Sequence, residues 1–385
     1  MNLAATLDLS QAIATVWDVI VVGAGPAGSL AARQIAINGL KVLLVDKARF
    51  PRWKVCGCCL NGRALATLAQ VGLGNLILTL RAAPLQNIVL AALGKSARVG
   101  LNGSVALSRE SFDAALIDSA IKSGVSFLPE TLAHFDRNAP GLPMLRLNQK
   151  NQQDSCSGAI ILAADGLGGR LLAGEPDFFA APSTGSWMGA GAIAESGPKY
   201  YAPGSIYMAT GAGGYVGLVR LEDGRLDVAA AFDRIRVRDV RGPNHATAML
   251  LEGVGWPLIP SLADSVWKGT PPLTRRPRRV AGERVFVLGD ASGYVEPFTG
   301  EGIAWALASA VALAPLAAQA ARTWRPSFAA CWTATHRRLI RNRQRTCRAV
   351  TWGLRHPGLF RGCLALLSRW PGLATPLIRH LNAPA

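Results

Sequence analysis

Hydrophobic and polar positions fall into blocks along the first part of the chain. Val19 to Val22 are apolar without a break, a glycine turn and an alanine-rich stretch follow, and "KVLLVD" is a second unbroken run. Strands apolar on both faces belong to a parallel sheet covered on both sides. "WDVIVVGAGPAGSLAARQIAINGLKVLLVDK" therefore predicts strand, turn, helix and strand, with Asn38-Gly39 stopping the helix. Residues before Trp17 read as a loose lead-in. "QNIVLAALGKSARVGL" predicts a pair of antiparallel strands. "LSRESFDAALIDSAIKSG" predicts a helix opened by Ser108, with Phe112, Ala115, Leu116, Ser119 and Ala120 facing inward. "GAIILAADG" and "RVFVLGD" repeat the buried-strand pattern. Between Ser183 and Thr270 the character changes to short antiparallel strands, with a hairpin turn at Glu222 to Gly224. Arg-rich helices close the chain, and there are no internal repeats.

A chain of 385 residues exceeds one ordinary core and predicts two or three domains. Half its residues are hydrophobic, which excludes a disordered binder. The first residues lack the basic start and small-residue cleavage site of a secretory signal, and the seven cysteines are an odd count; both lead us to expect a cytoplasmic protein with reduced thiols. "GIAWALASAVALAPLAAQAA" is uncharged over about the ~20 residues that a membrane span requires. Its small side chains and Pro315 predict a buried helix instead.

The net charge of +17 matters for where it sits. From Gly302 onward there is no Asp, Glu or Lys, while Arg337, Arg338, Arg341, Arg343, Arg345 and Arg348 head a basic tail that continues to Arg379. No nucleic-acid module accompanies it, so nucleic acid is not the expected partner. An anionic membrane face or an anionic small molecule is, with a solvated basic face as the bland alternative.

Gly23, Gly25 and Gly28 stand at G-x-G-x-x-G spacing between a predicted strand and helix, with Asp46 closing the next strand. The first glycine permits the turn, the second lets a pyrophosphate approach the backbone, and the third lets helix pack on strand. A helix N-terminus then faces the phosphates, and Asp46 suits a ribose. This unit fits FAD and nicotinamide dinucleotides alike. The late loop "GDASGYVEPFTGEGI" adds an acid, Asp290, at a strand end, a rigid Pro297, and a helix opening at Gly300 to Ile303. Exposed N–H groups there would stabilise charge on a reduced flavin, although a capped helix after a strand explains the loop equally well.

Together, "GAGPAG…VDKARFPRWKVCG", "LSRESFD", "ADGLGGRL" and "GDASGYVEPFTGEGI" resemble the geranylgeranyl reductase-like branch of the FAD-dependent oxidoreductase superfamily. That superfamily also holds aromatic-hydroxylase monooxygenases and flavin-dependent halogenases. The resemblance spans residues 17 to about 320. It implies an α/β fold: a Rossmann-like FAD/NAD(P)-binding domain from residues 17–80, 105–182 and 275–321, an antiparallel β-sheet substrate domain from 81–104 and 183–274, and a basic helical region over 322–385. It implies that Gly23, Gly25, Pro26, Ala27, Gly28, Asp46 and Lys47 hold the adenosine diphosphate half of FAD, and that Arg52 and Arg109 contact the cofactor. Asp165-Gly166 would link sheet to cofactor, Gly289-Asp290 would meet the ribityl chain, and Pro297, Gly300, Gly302 and Ile303 would border the ring.

The halogenases' Trp-x-Trp-x-Ile-Pro signature is absent, and so is the aromatic-rich substrate motif of archaeal and plant prenyl reductases. Cys56, Cys58 and Cys59 have no second ligand pair at zinc spacing, so no metal is expected. In the relatives the Cys-Gly step sits beside the flavin. These thiols are read as pocket lining or as proton donors, Cys56 first, with Arg49, Arg52 and Lys54 able to lower a thiol pKa. Asp165 and Glu301 read as turn or cap residues, and Trp187 and Tyr215 as substrate-pocket or core aromatics. The expected activity is reduction of a C=C bond in a lipophilic substrate (isoprenoid, polyketide or phenolic lipid), with NAD(P)H or another reductant as electron donor. The rivals are a monooxygenase on a phenolic lipid or polyketide, and a non-catalytic flavoprotein that docks on membranes. Localisation follows as cytoplasmic, peripheral on the inner face of the cell membrane.

Overall fold

The fold comes from a computed structural model that describes residues 3–136, 141–296, 298 and 300–383. The predicted first unit is present as β1 (Trp17–Val22), α1 (Pro26–Ala36) and β2 (Val42–Val45), with Pro26 at the first helical position, where no N–H is needed. Next come β3 (Ala83–Ala92), β4 (Lys95–Ala106), α2 (Arg109–Lys122), β5 (Ser126–Leu128) and β6 (Gln152–Ala163). The middle of the chain supplies β7 (Met188–Ala194), β8 (Ser205–Gly211), β9 (Gly214–Arg220), β10 (Leu226–Phe232) and β11 (Lys268–Pro272). After β12 (Val285–Val287) the chain turns helical: α3 (Gly302–Arg322), α4 (Ser327–His336), α5 (Arg343–Leu354), α6 (Pro357–Arg369) and α7 (Thr375–Asn382).

Two sheets result. In the first, β12, β6, β1, β2 and β5 lie side by side in parallel, and the glycine turn stands at the carboxyl end of the central β1. The second runs β11-β7-β10-β9-β8-β3-β4, with Cys59–Leu60 as its last, short strand. It is antiparallel except where β8 meets β3 in parallel. Those two strands come from segments far apart in sequence, so no hairpin forces them antiparallel. The cysteine segment is therefore tied to the edge of the second sheet while its flanks belong to the first.

Three details depart from the sequence reading. The lead-in is ordered: Leu9–Ala14 is a helix whose capping box is Asp8 and Gln11. The inner face of α2 is Arg109, Phe112, Asp113, Leu116, Ile117 and Ala120, whereas Ala115 and Ser119 are only half buried. A charged pair thus occupies an interior that the apolar pattern assigned to small residues. Pattern reading discounts such residues because a lone buried charge is costly; two that neutralise each other escape that rule. Third, the basic helical region is packed on the body of the protein: Leu364 of α6, in the stretch whose sequence suits either a membrane interface or the cover of an apolar tunnel, is buried against Ala92 and Ala97 of the second sheet.

α3 is long and apolar enough to cross a membrane, yet it lies largely buried, with Leu307, Ala310, Leu313 and Ala317 in the core that also holds α1. Alanines on both helices let the backbones approach closely, which positions the start of α3 beside the glycine turn.

Candidate functional site

The turn after β1 has three glycines with three different reasons. At Gly23 φ is +107°, and an added Cβ would stand 2.3 Å from the Ala164 carbonyl oxygen. At Gly28 it would stand 1.8 Å from the Gly23 carbonyl oxygen. Both are demanded by the fold. Gly25 is not: its Cβ would enter open space whose nearest groups are Nη2 of Arg52 and Nη2 of Arg109, each 3.9 Å away. That space is faced by two guanidinium groups and by the N-terminus of α1, an arrangement that holds a diphosphate. Asp46 fixes the turn to the end of β2, accepting from the Ala24 N–H at 2.7 Å and the Ala48 N–H at 2.8 Å. Each oxygen keeps a further lone pair for ribose hydroxyls. Lys47 beside it is exposed.

Arg109 is 4 % exposed and donates from Nε and Nη2 to the two oxygens of Asp113 at 2.8 and 2.7 Å. Arg52 reaches the same carboxylate at 3.7 Å. The forked geometry compensates for burying the charges and fixes where the second cation points.

The thiols form an unequal set. Cys58 has φ +50°, a left-handed conformation that costs a residue with a side chain about 1–2 kcal/mol. Its backbone N–H donates to the Cys56 sulfur at 3.4 Å. The Cys56 thiol is pulled down to about 6, first by hydrogen bonding from the Cys58 side chain, against burial, and then by Arg109. As the donor of that bond, and as a buried group, Cys58 is pushed up, and burial raises Cys59 as well. Cys56 should therefore be the first of the three alkylated by iodoacetamide. Peptide mass spectrometry should find its rate rising through pH about 6 and level above it. A rate still climbing toward the ordinary thiol value of about 8.5 would show that no thiolate is held there.

These groups open into a cavity of about 920 Å³ bounded by Gly25, the cysteine segment, the inner face of the second sheet and the last helices. Asp290 lies on its wall, with Lys54 Nζ 3.7 Å from its Oδ2. Tyr294 and Tyr215 line it too, and burial raises both phenols; the Tyr215 hydroxyl is buried without a partner among the described residues. Asp227 of β10 also borders it, 1 % exposed, with neither oxygen in hydrogen-bond geometry with a described residue. The Cys58 thiol and the Trp53 indole N–H are its neighbours, but Trp53 Nε1 is itself without a partner in hydrogen-bond geometry. Burial, and then the negative charge on Cys56, hold the Asp227 carboxyl well above the usual carboxylate range, against the approach of the Cys58 thiol and the Trp53 indole N–H, which pull the other way.

The structure brings together Gly25, Pro26, Ala27, Cys56, Cys58, Cys59, Arg109, Gly166, Tyr215, Asp290, Gly300, Gly302 and Ile303 on this one cavity. Gly289, at φ +61°, is wedged against Ala27, where an added Cβ would stand 2.8 Å from the alanine methyl. Asp165 accepts the Leu171 N–H at 2.9 Å and so holds a turn. Glu301 precedes α3 and accepts a hydrogen bond from the buried Cys347 thiol. Pro297 lies outside the described residues. Trp187 corrects one expectation: it does not reach this cavity but packs behind Tyr215, ring centroids 6.1 Å apart, under the Arg355 guanidinium. A large aromatic just ahead of a short strand carries no sign of which layer it fills.

Sequence reading missed Asp113 and Asp227. Asp113 had a signal, since it stands four residues after Arg109 on one helix face. Asp227 had one as well, being the lone acid in "LDVAAAF".

The residues fit FAD: an open cradle at Gly25 faced by two cations, a carboxylate at the end of β2, and an adjoining apolar cavity with orphaned polar groups on its wall. Residues 16–348 match the protein family described as FAD binding domain. A 58-residue stretch is 60% identical to menaquinone reductase of Mycobacterium tuberculosis, covering 15% of this chain and 14% of that protein's length. Digeranylgeranylglycerophospholipid reductase 1 of Methanopyrus kandleri is 27% identical over 309 residues, 76% of this chain and 77% of that one. A solved flavoprotein/dehydrogenase from Cytophaga hutchinsonii superposes with a TM-score of 0.78 at 17% identity, covering 96% of this chain and 93% of its own, which is a likeness of fold.

Proposed function

We propose, from the premise that this chain belongs to the FAD binding domain family and is an FAD-dependent oxidoreductase, that it reduces a carbon–carbon double bond in the isoprenoid chain of a lipid. The observation that carries this reading is the continuity of the cavity. From Gly25 and the thiols it runs past Ile88, Leu90 and Val99 to Leu377, Ile378 and Leu381 of α7, a greasy path suited to a long chain. The reductases named above act, by their names, on menaquinone and on a digeranylgeranylglycerophospholipid, and both names point to lipids.

Bound FAD supplies the hydride. The chain's own groups do the rest: Arg52, Arg109 and the α1 N-terminus hold the diphosphate, and the paired thiols border the reacting end. The last helices wall the cavity on the side away from the glycine turn. In this reading a nicotinamide dinucleotide or ferredoxin reloads the cofactor.

The same helices supply a docking face. Leu366, Trp370, Leu373 and Leu377 are exposed together with Arg361, Arg369 and Arg379. Apolar side chains mixed with arginines suit the interface of an anionic leaflet, and α6 and α7 also line the cavity, so the lipid enters from the bilayer. The protein would then work peripherally, on the inner face of the cell membrane.

The test incubates reduced protein without air, with a prenylated quinone and with an unsaturated isoprenoid-ether phospholipid, and weighs the products. Gain of two hydrogens supports the reading. Labelled oxygen in the product under air, without saturation, would replace it with a monooxygenase. No product under either condition would leave a non-catalytic flavoprotein.

A further inference from the structure

Saturating a double bond needs a proton as well as a hydride, and the cavity wall holds one carboxyl placed to give it. Asp227 borders the cavity from β10, on the strand face that carries Ala229 and Ala231, in register with Ile193 of β7 and Val219 of β9, so strands flank it on both sides. Both oxygens are buried, and neither meets a hydrogen-bond donor in good geometry. An ionised carboxylate left that way would be strongly destabilising, whereas a neutral acid is tolerated.

We propose that Asp227 is the proton donor of this site, a neutral carboxylic acid that gives its proton to the carbon opposite the one receiving hydride. The proposal rests on the reading of the reaction as double-bond reduction. In balance, the alkene takes up two electrons and one hydrogen as the hydride furnished by reduced FAD, and one proton from the Asp227 O–H. That O–H bond breaks as the new C–H bond forms, and solvent restores the acid.

The surrounding groups agree with the assignment. Cys58 stands between the carboxyl and the Cys56 sulfur, in contact with both. Around Asp227 are Cys56, Cys58, Cys59 and Trp53 from the cysteine segment, and Glu110 from α2. Arg109 on that helix and Lys268 of β11, whose ammonium lies 4.8 Å over the Trp53 ring, complete the charged surroundings. The thiolate and Glu110 both favour the protonated form, the form a donor needs at neutral pH.

The experiment compares FAD-loaded wild type with Asp227→Asn and Asp227→Glu. Its reaction-free arm is the infrared spectrum at neutral pH. Wild type minus Asp227→Asn should show the C=O stretch of a protonated carboxyl, shifted in heavy water. In turnover, Asp227→Asn should lose about a hundredfold in kcat with KM and FAD content unchanged, while Asp227→Glu, which keeps the acid, stays within about tenfold of wild type. Absence of the infrared band overturns the proposal whatever the turnover shows. So does full turnover in Asp227→Asn, or a Glu variant as slow as the Asn variant, which would reduce the residue to packing. If Asp227→Asn does not fold, the carboxyl band of wild type against Asp227→Glu decides. If wild type saturates no isoprenoid lipid, the reading of the reaction fails, and the infrared arm still settles whether the acid is neutral.

Discussion

Gly25→Glu should leave the protein folded and colourless. A Cβ added at Gly25 meets nothing nearer than two guanidinium nitrogens at 3.9 Å, so the backbone has no reason to move at the branch point. The new carboxylate would sit where the diphosphate belongs and pair with Arg52 and Arg109, filling the anion site from within. Each charge-assisted hydrogen bond lost to the diphosphate is worth about 1.5–3 kcal/mol, so losing two or three of them costs FAD at least on the order of a hundredfold in affinity. The measurement is the ratio of flavin absorbance to protein after gel filtration, beside a thermal melt. Gly28→Ala is the contrasting control, because its Cβ would fall 1.8 Å from the Gly23 carbonyl oxygen and break the turn itself. It should lower stability as well as occupancy. Full occupancy in a folded Gly25→Glu protein would show that the cradle is not where the diphosphate lies.

The contrast explains why the cradle was legible before the fold was seen. Its constraints are local: a positive φ, a close approach and an open space occur within six residues, and each leaves a glycine in the sequence. The buried runs of β1, β2 and β6 are legible for a similar reason, since a strand covered on both faces must be apolar at every position. The same rule hid Asp227. β10 is also covered on both faces, so no polar–apolar alternation marks the cavity side, and the pleat that turns position 227 inward is set by pairing with β7 and β9. Asp113, and the burial it shares with Arg109, were hidden differently. Each is an ordinary surface residue in a helix pattern, and only their pairing lets α2 carry them inside. For the last helices the sequence left two roles open, a membrane interface or the cover of an apolar tunnel, and their packing partners were out of reach, because Leu364 finds its place through Ala92 and Ala97, more than two hundred residues earlier.

Replacing Arg361, Arg369 and Arg379 together by Gln should release the protein from anionic vesicles. All three are exposed, so the change removes charge without disturbing a buried partner. Each Arg held near an anionic leaflet contributes about 1 kcal/mol, so losing three weakens binding by ~3 kcal/mol, on the order of a hundredfold. Sedimentation with vesicles containing phosphatidylglycerol, at low salt, measures the loss. Wild type should bind these vesicles, bind zwitterionic ones far less, and come off as salt rises. Turnover on a detergent-dispersed isoprenoid substrate should survive the substitution, because delivery from the bilayer is lost while the cavity is kept. If the variant sediments like wild type, the basic helices are a solvated face, and the lipid reaches the cavity by another route.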